Sequence, residues 1–244
     1  MNRPRLNAIE NDLIQSRRNK RREYNPDNRN VLLIGDIHEP FTLDGYMEFC
    51  WDIYNKYECN EVVFTGDIID NHYSSFHVQD PDGFGAGEEL ERAIDKLADW
   101  YELFPRATVC LGNHDRIPAR KAMDAGISSK WLSPYAEVLG VPNWDFVDSI
   151  IIDEVLYVHG DGASHAAMRS KKDLMSIAQG HFHSRAYIEW IVGKRVKLFA
   201  VQAPCGVDDK AYAMAYGKNS PKSAIGCTVI LNNGTLPIIE MMEL

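Results

Sequence analysis

From residue 30 onward, short apolar runs recur, each closed by glycine and a polar residue: "NVLLIGDIH", "EVVFTGDIID" and "ATVCLGNHD". Runs of this kind suit strands buried on both faces. The segments between them follow a helical rhythm instead. In "DGYMEFCWDIYNKY" the side chains of Tyr46, Phe49, Cys50, Ile53 and Tyr57 share one stripe. In "EELERAIDKLADWYELF" Leu90, Ile94, Leu97, Tyr101 and Phe104 do the same. Strand, helix, strand, helix, strand predicts an α/β unit with parallel strands. Later segments predict antiparallel hairpins: "SIIIDEVLYVHG" turning near Asp153 and Glu154, "YIEWIVGKRVKLFAV" at Gly193, and "GCTVILNNGTLPIIEM" at Asn232 to Gly234. Ahead of all this, Ala8, Ile9, Leu13 and Ile14 predict a short helix, followed by the basic run "RRNKRRE" and a polar linker. The chain thus divides into an arm, residues 1–29, and one domain, residues 30–244. Residues 71–87 and 203–224 are polar, aromatic and glycine-containing, and are expected to form loops beside a site.

Composition narrows the class. The chain has 244 residues, 45% hydrophobic and 25% charged, as in ordinary soluble domains. No apolar run approaches the roughly 20 residues that span a bilayer, and the N-terminus lacks the apolar middle of a secretory signal. Five scattered cysteines, Cys50, Cys59, Cys110, Cys205 and Cys227, form no C-x-x-C pair. Reduced thiols in a cytoplasmic protein without membrane contact are the expectation. Charge is uneven. Residues 1–29 hold eight Lys or Arg against four Asp or Glu, so a total of −9 leaves −13 on residues 30–244. Such a body repels phosphate polymers unless cations offset it. Nucleic acid is therefore a disfavoured partner, and carboxylates gathered around metal become attractive.

The chemistry sits just past the apolar runs. Asp36 and His38 follow the first, Asp67 and Asp70 the second, and Asn113, His114 and Asp115 the third. His159 follows "VLYV", and His181 and His183 follow "LMSIAQG". Sites in α/β sheets form beyond the carboxyl ends of strands. Each residue alone has a plain structural explanation: a cap for an aspartate, a turn for an asparagine, a satisfied polar group for a histidine. Five segments in order, carrying five of the eight histidines, are poorly explained that way. Oxygen and imidazole donors without thiolate suit Mn, Fe, Zn or Co. The set exceeds the needs of one tetrahedral ion and suits two ions about 3.5–4 Å apart sharing a carboxylate.

The ordered set "GDIH", "GDIID", "GNHD", "VHG" and "GHFH" closely resembles the calcineurin-like metallophosphoesterase family over residues 31–184. The resemblance implies a four-layer α/β/β/α sandwich of two mixed sheets, with the arm as an addition. It implies that Asp36, His38 and His183 hold one metal, that Asn113, His159 and His181 hold a second, and that Asp67 bridges them. Two divalent transition ions are implied, manganese first, with Fe, Zn, Ni or Co as alternatives. A hydroxide bridging the ions would attack a phosphate mono- or diester in line, with His114 as general acid oriented by Asp70. Nuclease activity and protein Ser/Thr phosphatase activity are the alternatives within the family. The latter is weakened because Asn71 and His72 follow Asp70 where that branch has Arg-Gly. A scaffold that keeps the fold for binding alone would have no reason to fill every position.

Weaker candidates surround these. Arg185, His72 and Tyr73 are possible substrate contacts; for His72, as for His77, a surface loop position is the plainer reading. Asp115 and Asp161 are candidates for supporting the ligands by hydrogen bonds. His165 and Arg169 belong to the rim or to a helix start. In "QGHFHS", extended chain would aim His181 and His183 the same way and turn Phe182 into the core.

Overall fold

The computed structural model describes residues 28–76, 80, 82–213 and 221–243. The helix and basic run expected within residues 1–27, and His77, lie outside the described residues. In the first sheet β1 (Val31–Ile34), β2 (Glu61–Phe64), β3 (Ala107–Cys110) and β4 (Trp144–Val147) run parallel. The antiparallel pair β10 (Gly226–Leu231) and β11 (Leu236–Met241) extends it beside β1. In the second sheet β6 (Val155–Val158), β7 (Ser176–Gln179) and β9 (Lys197–Gln202) are parallel. Its edges, β5 (Ser149–Ile152) and β8 (Tyr187–Val192), are antiparallel.

Strand alternation sorts the core into layers. Leu32, Ile34, Val62, Phe64 and Val109 pack with α1 (Tyr46–Lys56) and α2 (Ala86–Leu103). Their neighbours Val31, Leu33, Val63 and Cys110 meet Val155, Tyr157, Ala178, Phe199 and Val201 of the second sheet. On the far face, Ala166 and Ala167 of α5 (Ala166–Asp173) cover Ala200. Two mixed sheets between helices make the expected four-layer sandwich. Three shorter pieces, α3 (Ile117–Asp124), a 3-10 turn at Ser129–Trp131 and α4 (Tyr135–Val138), lie between β3 and β4.

The hairpins turn where expected. Asp153 and Glu154 take φ of 50 and 62, the signs of a primed two-residue turn. The helical stripes, however, are rotated. α1 buries Trp51 and Tyr54, and leaves Phe49 and Tyr57 half-buried. α2 buries Glu89, Ala93, Leu97, Trp100 and Leu103, a row one residue away from Leu90, Ile94 and Tyr101. The cause is Trp100. Its Nε1 donates to Glu39 Oε1 at 2.8 Å, and its ring lies edge-on to Phe64. A large ring whose N–H has a buried partner outweighs the smaller aliphatic side chains.

Candidate metal centre

All five segments leave the carboxyl ends of β1, β2, β3, β6 and β7, so both sheets feed one rim. The backbone there is bent against preference. His38, Asp67 and His181 have φ of 51, 45 and 74, left-handed values that cost about 1–3 kcal/mol each. The surroundings hold them. Asp115 is buried, and its carboxylate accepts the N–H groups of Asp67 (2.8 Å), Ile68 (3.0 Å) and Gly112 (2.8 Å). Two motif glycines are required by close approach. A Cβ on Gly112 would collide with the Asp67 carboxylate, and one on Gly180 with Asp36 Oδ1 and Thr65 Oγ1.

Two groups of donor atoms result. In the first, His183 Nε2 lies 3.1 Å from His38 Nε2 and 3.2 Å from Asp36 Oδ2. In the second, His159 Nε2 lies 2.9 Å from Asn113 Oδ1 and 3.2 Å from His181 Nδ1. Asp67 Oδ2 stands between them, 3.8 Å from His38 Nε2 and 3.3 Å from His159 Nε2. The structure thus brings the seven candidate ligands together in two groups on either side of Asp67.

Protonation shows what this arrangement can hold. His159 Nδ1 faces the Thr65 carbonyl at 2.9 Å, which can only accept, so in the neutral ring Nε2 carries the lone pair. His38 Nδ1 faces the Asp70 carboxylate at 2.6 Å, which likewise leaves a lone pair on Nε2. These ring nitrogens, carboxylate oxygens and an amide oxygen therefore make two groups rich in buried acceptors. Buried acceptors of this kind need cations at their centre, and nitrogen with oxygen donors fits divalent transition ions. The electrostatics agree. Burial opposes charge on His159, but Asp67, Asp36 and Asp115 raise its pKa. Burial would raise Asp36, yet His159, His183 and His38 hold it well below the carboxylate range. Burial, and then the Asp67 charge, push Asp115 up to about 6.

His114 stands beside the first group, its ring edge-on to His38 with centroids 4.7 Å apart. Its N–H donates to Asp67 Oδ1 at 2.7 Å, and its ring Nδ1 donates to the Asp70 carbonyl at 2.5 Å. Burial works against the imidazolium, but Asp67, Asp70 and Asp115 outweigh it and raise the pKa. The expectation that Asp70 orients His114 needs a correction of detail. The carboxylate is 3.5 Å from His114 Nδ1 and closer, at 2.6 Å, to His38; the main-chain carbonyl makes the close contact with His114.

Other expectations change more. "QGHFHS" is not extended: β7 ends at Gln179 and the chain turns through left-handed His181. Phe182 is half-buried outside the core, its ring 4.1 Å from His165 and 5.0 Å from His181. His72 is no surface residue. It is buried in a 3-10 turn, its Nε2 accepting the Asp80 N–H at 3.2 Å and its ring against Tyr212. His72 is thus held within the fold, whereas Tyr73 and Arg185 are exposed. Asp161 pairs with Arg169 at 3.8 Å and touches no ligand. Two contributors were not foreseen. Thr65 donates to Asp36 Oδ1 at 3.0 Å while accepting from His159, and Glu89 accepts the N–H groups of His72 (2.6 Å) and Tyr73 (3.1 Å). Thr65 reads as an ordinary strand residue; Glu89 betrays itself only as a charge on the buried face of a helix.

A search of curated proteins finds no match. Among solved structures the chain is similar to vacuolar protein sorting 29 from Cryptosporidium parvum, at 13% identity and a TM-score of 0.47, covering 89% of this chain and 98% of that one. It is also similar to a phosphoesterase from E. coli, at 14% identity and a TM-score of 0.36, over 82% of this chain and 87% of the other. A nuclease from Pseudomonas putida is a third, at 14% identity and a TM-score of 0.41, over 85% and 87%. The model of the calcineurin-like phosphoesterase family matches residues 29–208, and the chain belongs to that family.

Proposed function

We propose that the protein hydrolyses phosphate mono- or diesters with two divalent ions, manganese first among them. The supporting observation is the pair of acceptor groups on either side of Asp67, with His114 beside them. Asp36, His38 and His183 would hold one ion; Asn113, His159 and His181 would hold the other. When bound, the ions would activate water and neutralise the phosphate oxygens for in-line displacement. His114, tied through Nδ1 to the Asp70 carbonyl, keeps Nε2 for the substrate and a proton for the leaving oxygen. The Asp115 carboxylate fixes the Asp67 and Gly112 backbone so that the Asp67 carboxylate stays in place. All five cysteines are free and buried, which fits a reducing cytoplasm. Among the described residues no helix is long and apolar enough to cross a membrane.

The test is a panel of aryl phosphate, aryl phosphodiester, cyclic nucleotide and phosphopeptide, with each metal in turn. Hydrolysis on at least one arm is expected; none on any arm overturns the proposal in favour of a binding scaffold. His114→Ala should keep its metal and lose about 10²–10⁴-fold in turnover. Asp67→Asn should instead lose metal, read by elemental analysis; full occupancy in that variant would remove Asp67 from its bridging place.

A further inference from the structure

Between β3 and β4 the chain makes an excursion that the metal centre does not use. It leaves at Arg116, whose N–H donates to the Gly112 carbonyl at 3.3 Å. It returns at Tyr135, whose hydroxyl donates to the Asp115 carbonyl at 2.9 Å. Both ends are therefore pinned to the segment that carries Asn113 and His114, and the excursion stands at the rim of the site. Its outer part is unusually bare. Residues 123–134 are all exposed, and Trp131 is 83% exposed. Isolated exposed apolar residues are ordinary, but a tryptophan left in water on the same excursion as the exposed Met123 and Ile127 marks a surface fit to be covered.

Its charge runs against that of the molecule. Residues 116–132 carry four cations and one carboxylate, +3, on a body of −13. Arg116 is paired with Asp148 at 2.6 Å, whereas Arg120, Lys121 and Lys130 enter no ion pair among the described residues. Arg120 and Lys121 are instead held over the ring of Phe76, at 4.7 and 4.8 Å from its centroid. Phe76 is 54% exposed and comes from the loop that follows Asp70. Two cations and one flat ring thus lie together on α3, whose first residue, Ile117, donates its N–H to the His114 carbonyl at 3.1 Å.

We propose that this excursion docks single-stranded nucleic acid, with backbone phosphates on Arg120, Lys121 and Lys130 and a base stacked on Trp131. The proposal rests on the phosphoesterase reading of the same centre and names its substrate class. Unpaired cations along a backbone track, together with exposed aromatic rings, are what sequence-tolerant strand binding requires. The strongly acidic body, which disfavours a polyanion as a whole, leaves this face as its landing place. The basic arm of the chain is a poor occupant, because it has the same sign. A phosphopeptide would satisfy the cations and leave Trp131 without a role.

Fluorescence anisotropy on the full chain in EDTA tests this without cleavage. The probes are a short oligothymidylate, an abasic strand of equal length and an acidic phosphopeptide of matched charge. The oligothymidylate should bind tightest, and binding should weaken steeply with salt. Trp131→Ala should weaken the oligothymidylate at least about fivefold and leave the abasic strand unaffected. Arg120→Glu with Lys121→Glu should weaken both strands about tenfold or more. Circular dichroism checks that these surface variants fold. Equal binding of the three probes, indifference to Trp131→Ala, or a dimer that Trp131→Ala dissolves would each overturn the proposal. Hydrolysis of the aryl phosphodiester by the unaltered chain is read in parallel. Hydrolysis without strand binding removes the docking surface alone, and strand binding without hydrolysis removes the phosphoesterase reading alone.

Discussion

Asp70 serves two histidines with two different groups. Its carboxylate takes His38 Nδ1 at 2.6 Å, and its main-chain carbonyl takes His114 Nδ1 at 2.5 Å. Substitution of the side chain should therefore reach the metal before it reaches the acid. An amide in place of the carboxylate removes the charge that fixes the His38 ring and strengthens it as a donor. Asp70→Asn is expected to weaken metal binding by about 10–100-fold, measured by titration of the apoprotein, while the tie to His114 persists. Unchanged metal affinity with a fall in turnover would return the carboxylate to His114.

At the level of elements, α2 is joined to the chain after β1 by a buried polar contact. Glu39 Oε1 accepts from Trp100, and the carboxylate is buried. Burial raises the Glu39 pKa above its ordinary 4.5. A carboxyl raised in the fold binds its proton more tightly there than in the unfolded chain. Its contribution to stability is complete below about 4.5 and is lost as pH rises through the raised value. Glu39→Gln should flatten that part of the pH–stability curve in urea unfolding; an unaltered slope would assign it to another group. The same contact shows where sequence reading stops. Strands and hairpins announce themselves through local apolar runs and turn residues. The rotation of α2 was hidden because the partner of Trp100 lies 61 positions away. β4 was missed for a related reason: "WDFV" is short, is interrupted by the exposed Asp145, and becomes a strand by pairing along β3. The seven donors were legible because each follows its strand directly. The turned "QGHFHS" was not, because the left-handed φ of His181 is imposed from outside, where its N–H donates to Asp36 Oδ2 at 2.8 Å.

For the molecule as a whole, the centre is a joint between layers. Asp36, Asp67 and Asn113 come from the first sheet, His159, His181 and His183 from the second. Ions held across that joint bind the native state and not the unfolded chain. At about 100 times the dissociation constant, that adds about 2.7 kcal/mol, or roughly 5–10 °C in a melting midpoint for a chain of this size. EDTA should lower the midpoint accordingly, and re-added manganese should restore it. Superimposable melts with and without chelator would mean that no ion bridges the sheets.

The wide spacing of those donors also sets an order in time. Asp36 and His181, which meet through a hydrogen bond, are 145 residues apart. A chain still being synthesised cannot gather the full donor set until β7 and the turn after it have emerged. Long-range contacts of this kind form late, once closing the loop between them has been compensated elsewhere. Metal can then be no template for this chain. It should leave the refolding rate nearly unchanged and act chiefly by slowing unfolding, as a latch closed on a structure already built.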